Sequence, residues 1–134
     1  MDRRKARVVV YKMVYATKYN NEIEYDDLLS FCAEGEDVDA ESQAYIMQTY
    51  KGIITNADTL TQKIMDNIQG YEKDRVYPLD MVAMLYAGYE LSYTDVPPKV
   101  AISEAVNLVK SFSTPKSVSF VNGVLSKLYK DSNE

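Results

Sequence analysis

Residues 95–125 read DVPPKVAISEAVNLVKSFSTPKSVSFVNGVL, and two helix starts are written into them. Pro97-Pro98 opens the first, because proline lacks the N–H that a first helical turn leaves unpaired. Ile102, Ala105, Val106 and Val109 then recur at the spacing of one helix face. Thr114-Pro115 joins a capping side chain to a helix-starting proline, so a second helix begins there. On that helix Val118, Val121, Leu125 and Leu128 fall within a sector of roughly 80°, the expected core face. Phe120 lies on the far side with Lys116, Gly123 and Lys127. A ring displayed between ammonium groups is a platform for stacking a nucleobase; filling a gap against a neighbouring helix is the plainer reading. Gly123 inside a helix costs on the order of 1 kcal/mol relative to alanine, which suggests another backbone or a ligand close to it.

Working outward, the rest of the chain is helical in pattern. Residues 3–18 place Ala6, Val9, Val10, Met13, Ala16 and Thr17 on one side and Arg4, Arg7, Tyr11, Tyr15 and Lys18 on the other, with Val8 among the latter. Cations interleaved with aromatic rings suit single-stranded RNA, with ammonium and guanidinium groups on phosphates and rings on unpaired bases. Arg3, Arg4, Lys5 and Arg7 also crowd a helix start, where the macrodipole disfavours cations; such local contradictions point to function, the alternative being a solvated basic terminus. Residues 22–33 suggest a short helix ending near Glu34-Gly35, and Asp39 or Ser42 caps the next, which carries Tyr45, Ile46, Thr49, Tyr50 and Ile53. Leu60, Ile64 and Ile68 define another helix closing near Gly70. Residues 79–93 form the most apolar segment, expected as the central helix, with Glu90 an acid inside an otherwise apolar run. No stretch alternates with period two, so the fold class is all-α.

Composition narrows the chemistry. At 134 residues the chain is one domain, able to bury a core without disulfides or metals. Histidine is absent and Cys32 is the only cysteine, which excludes Cys–His zinc sites and histidine-based catalytic triads. Cys32 lies in the apolar run LLSFCA and reads as a small core residue. The acids from Asp27 to Glu41 show no metal-loop spacing and read as a solvated face. No transmembrane span or signal peptide is recognisable, so a cytoplasmic location is expected. The net charge of −5 is unevenly spread. Residues 1–18 carry six Lys/Arg against one Asp, residues 19–98 four basic against sixteen acidic groups, and residues 99–130 five Lys against one Glu. Basic ends around an acidic middle point to a polyanion partner better than the total does.

DVPPKVAISEAVNLVKSF followed by FVNGVL closely resembles the carboxy-terminal signature of the NusB family of bacterial transcription antitermination factors. RRKAR at 3–7, KGIITN at 51–56 and MLYAGYEL at 84–91 occur in the family's order and spacing, so the resemblance spans essentially the whole chain. It implies a compact bundle of about seven helices in two packed subdomains, about 1–72 and 73–134. It implies a non-enzymatic, cofactor-free protein that binds boxA RNA together with NusE, a small-subunit ribosomal protein. That complex joins elongating RNA polymerase and other Nus factors and carries it past terminators in ribosomal RNA operons. The arginine-rich motif falls on Arg3, Arg4, Lys5 and Arg7, the helix-one tyrosine on Tyr15, and the FVNGVL phenylalanine and asparagine on Phe120 and Asn122. With Tyr11, Lys18, Lys116 and Lys127 from the helix wheels, these make the expected RNA surface. Asp80 and Glu90 are assigned to the protein-partner surface.

The chain departs from the family pattern at Met84-Leu85, where Leu-Arg is usual, at Ser103 for Asn, and at Ser113 for a common Gly. Lys116 stands where many members carry an acid, which strengthens the basic face around Phe120. Two further readings accompany the first: a helical module that binds protein only, and the NusB-like domain of some RNA cytosine methyltransferases, for which no cofactor-binding βαβ pattern is present. Some family members form homodimers that hide the RNA face, and a homodimer is among the assemblies the resemblance allows.

Overall fold

In the computed structural model, which describes residues 1–68 and 75–132, the chain forms seven α-helices: α1 Arg3–Tyr19, α2 Tyr25–Cys32, α3 Ala40–Thr55, α4 Ala57–Asp66, α5 Pro78–Tyr93, α6 Pro98–Phe112 and α7 Pro115–Ser132. Among the described residues there is no strand, as the periodicity predicts. The boundaries follow local chemistry. Pro78, Pro98 and Pro115 each begin a helix, where the missing N–H costs nothing. Thr94, extended at φ −135°, ends α5; its hydroxyl donates to the Glu90 carbonyl at 2.8 Å and accepts from Val96 N–H at 3.2 Å. α2 starts three residues later than the pattern suggests, because the Asn20 side chain accepts Glu22 N–H at 3.1 Å and turns that segment. Gly35, at φ +83°, supplies the left-handed residue of the turn that Glu36 N–H closes on the Ala33 carbonyl at 3.0 Å. The expected close of α4 at Gly70 and the expected subdomain boundary at about 72 lie outside the described residues.

The helices group into two compact units, Met1–Thr55 and Asn56–Glu134. In the first, α1 packs on α3 and α2. The Thr17 hydroxyl donates to the Met13 carbonyl at 2.9 Å, so the 2.6 Å contact to Tyr50 Oη takes its proton from the tyrosine and ties α1 to α3. The Arg3 guanidinium lies over the Tyr45 ring, 3.8 Å from its centre. Ahead of them the terminal amine pairs with Asp39 at 3.4 Å; the Ser42 hydroxyl and this amine hold the Asp39 carboxyl below its ordinary range.

In the second unit α5 packs against α4, α6 and α7. Every residue from Asp80 to Glu90 is buried, so α5 has no solvent face over three turns, as its apolar run predicts. At Gly88 an added Cβ would sit 3.4 Å from Leu60 Cδ2, so α4 already lies against the bare backbone. α6 buries Ala101, Ala105, Leu108 and Val109, while the expected core residues Ile102 and Val106 are half-buried. On α7 Val121, Val124, Leu125 and Leu128 are buried, whereas Val118 is only half-buried and Ser117 takes the inward position. Truncating Leu85, at the middle of α5, to alanine is expected to lower the unfolding free energy measured in urea by about 2–5 kcal/mol.

Candidate nucleic-acid interface

In the second unit the sequence of the α6–α7 connection builds its own anchor. Ser117 N–H donates to Thr114 Oγ1 at 3.2 Å and Thr114 N–H donates to Ser117 Oγ at 3.3 Å, a reciprocal cap in which serine stands in for the usual glutamate. Both serines of the segment then converge on α5: Ser113 Oγ donates to Asp80 Oδ1 at 2.6 Å and Ser117 Oγ donates to Asp80 Oδ2 at 2.9 Å. Asp80, only 3% exposed, has both carboxylate oxygens occupied. A buried carboxylate needs such donors, and here they also set the start of α7.

Above this anchor opens a cleft of about 260 Å³, lined by Arg75, Val76, Tyr77, Asp80, Thr114, Lys116, Ser117 and Phe120. Phe120 is half-buried, Lys116 and Arg75 are exposed, and Tyr77 is exposed at the mouth. The cleft thus offers two aromatic rings and two cations, the group types that hold an unpaired base and its phosphate. Lys116 and Phe120 were expected here from the helix wheel. Arg75 and Tyr77 were not, since they fall outside any periodic segment; the only signal was an Arg and a Tyr just ahead of a helix-starting proline. Asn122 and Lys127 are exposed on α7 but do not line the cleft.

In the first unit the structure rotates the expected face of α1. Arg4, Lys5 and Lys18 are exposed and Tyr15 is half-buried, but Arg7 and Tyr11 are buried, at 5% and 1% exposure. Their polar tips sit on long apolar bodies that a polar/apolar wheel counts as solvent-facing, which is why sequence reasoning misplaced them. The side that does face solvent carries Arg4, Lys5, Lys12, Tyr15 and Tyr19. Lys12 and Tyr19 were missed, although Lys5, Lys12 and Tyr19 repeat at seven-residue intervals. The Tyr15 and Tyr19 rings lie 5.1 Å apart, tilted at 56°. A hydrogen bond with Tyr15 holds the Tyr19 phenol above its ordinary range. Among the expected cations Arg3 is engaged with Tyr45 and Lys5 approaches Glu36 at 3.8 Å, while the Asp2 carboxylate caps α1 through Lys5 N–H at 2.8 Å and offsets the dipole.

Two assignments to a protein-partner surface are corrected by burial. Asp80 is consumed by Ser113 and Ser117, and Glu90, at 2% exposure, lies inside the fully buried span of α5. Burial raises the Cys32 thiol above its ordinary range, with Lys12 opposing. No group of three or more Cys, Asp or Glu side chains among the described residues is placed to share a metal ion, and none of the described helices is long and apolar enough to cross a membrane.

Comparison with known proteins bears on the family and the fold. The model of the NusB family matches residues 4–130. The chain is 33% identical over 133 residues to the transcription antitermination protein NusB of Clostridium novyi, covering 97% of this chain and 99% of that protein. It is 30% identical over 133 residues to the protein of that name from Methylacidiphilum infernorum, covering 98% and 93%. The crystal structure of T. maritima NusB superposes with a TM-score of 0.86 at 25% identity, over 98% of this chain and 92% of that one. A chain from the crystal structure of antitermination factors NusB and NusE with double-stranded RNA gives 0.83 at 22% identity, over 96% of each, a likeness of fold.

Asp80→Ala is expected to leave the Ser113 and Ser117 hydroxyls without their acceptor and to cost about 1–3 kcal/mol in urea unfolding. The solvent-facing Lys12→Ala is expected to change stability by no more than about 0.5 kcal/mol in the same assay.

Proposed function

Since this chain belongs to the NusB family, as a match over residues 4–130 shows, we propose that it is a transcription antitermination factor that binds boxA-like single-stranded RNA together with NusE. The observation that carries the reading is the Phe120 ring held in an open cleft beside Lys116 and Arg75. A base stacked on that ring places its phosphates within reach of the two cations. The tyrosines and cations of α1, namely Arg4, Lys5, Lys12, Tyr15 and Tyr19, form the RNA surface of the first unit. Antitermination then follows from binding: the protein delivers RNA and NusE to elongating RNA polymerase in the cytoplasm and performs no catalysis. The acidic middle of the chain, sixteen acids against four bases over residues 19–98, suits a basic ribosomal protein as partner.

The test is titration of a fluorescent boxA-like RNA by anisotropy, with and without NusE, at two salt concentrations. Phosphate contacts make the affinity fall with salt, with a log–log slope of about −0.7 for each contact to a single strand. Phe120→Ala is expected to cost about 1–3 kcal/mol of binding through the lost stack. Arg4→Ala is expected to weaken binding and flatten the salt slope while leaving the melting temperature unchanged. A protein that binds NusE yet shows no salt-dependent RNA affinity would instead be the protein-only module.

A further inference from the structure

Gly123 stands in the middle of α7 on its exposed side. Two internal reasons usually keep glycine in a helix, a left-handed backbone or a neighbour too close for a Cβ. Among the described residues neither holds, since the positive φ is that of Gly35 and a Cβ added at Gly123 meets nothing within 4 Å. Gly88 shows the contrast, with Leu60 Cδ2 already 3.4 Å from such a Cβ. Glycine is the poorest helix former after proline, so an exposed glycine with open space above it weakens α7 with no gain inside the chain. The gain is therefore sought outside it.

The neighbours of Gly123 describe what comes close. At 100° per residue Lys116, Ser119, Lys127 and Lys130 lie within about 40° of it on the same face, and all four are exposed. Phe120, one turn back, belongs to the wall of the cleft. No acid lies on this sector. Three cations around a bare patch of helix repel a closely packed cationic helix but attract a polyanion, and only a patch without side chains lets a sugar–phosphate backbone reach the helix surface.

We propose that Gly123 is the point of closest approach between α7 and the RNA backbone, which leaves the cleft at Phe120 and runs past Lys127 toward Lys130. The proposal rests on the RNA-binding reading above and assigns Gly123 as a positioning residue for that RNA.

The experiment is Gly123→Ala in the full chain, followed by thermal melting and by anisotropy titration with the same fluorescent RNA over a salt series, beside wild type and Phe120→Ala. Alanine fits the open space and improves the helix, so the melting temperature should rise by about 2–5 °C. RNA affinity should fall about five- to tenfold, and the salt slope should flatten by about 0.7 as the added methyl lifts one phosphate off its lysine. Opposite movement of stability and affinity is a result that structural damage cannot give. Wild-type affinity and slope in Gly123→Ala, with Phe120→Ala impaired, overturns this inference and leaves the RNA reading standing. A lowered melting temperature overturns it by showing an internal role for the glycine. A change confined to self-association in sedimentation overturns it in favour of a second copy as the close partner. Wild-type protein that binds no RNA overturns both proposals together.

Discussion

A carboxylate taken out of water must find donors for both oxygens, and at Asp80 those donors decide where α7 begins. Ser113 and Ser117 supply them at 2.6 and 2.9 Å, and the same Ser117 closes the reciprocal cap with Thr114. One buried charge therefore joins α5, the α6–α7 connection and the first turn of α7. Lys116 lies in that turn and Phe120 just after it, so the cleft inherits its shape from the anchor below it. Ser113, which replaces a glycine common in the family resemblance, contributes one of the two donors and so has a structural explanation in this chain.

The anchor in turn needs α5 to be immobile. Eleven consecutive buried residues, Asp80 to Glu90, make α5 the element against which α4, α6 and α7 are all positioned. A helix buried on every side cannot roll to expose an alternative face without losing several side chains' worth of apolar burial. Asp80 is thereby fixed at one end of a rigid rod, and the surface above it is preorganised. A preorganised surface loses less entropy when it binds, which matters for a flexible single-stranded partner that must itself be ordered.

Charge works locally in the same way. A net charge of −5 would repel nucleic acid if it were spread evenly, yet the acids are concentrated in residues 19–98 and the bases near the two ends. At ordinary ionic strength charges act over about 8–10 Å, so a phosphate senses Lys116, Lys127 and Lys130 on α7 rather than the total. The first unit repeats the arrangement on α1, with Arg4, Lys5 and Lys12 on the side that carries Tyr15 and Tyr19.

Most of the fold was legible in the residues. Prolines at 98 and 115 mark two helix starts, hydrophobic spacing marks the other helices, and the most apolar segment marks α5 as central. These signals are local, because backbone geometry and helical period act within a few residues. The sequence by itself also determined the all-α class and which residue types gather near Phe120. Tertiary structure alone decided the rotation of α1 that buries Arg7 and Tyr11, the inward turn of Ser117 in place of Val118, and the placement of Arg75 and Tyr77 beside Phe120. Each of these depends on which long side chain lays its apolar body on a neighbour and which polar tip finds a partner across the chain. Such pairings join residues up to dozens of positions apart, a separation that no local period encodes.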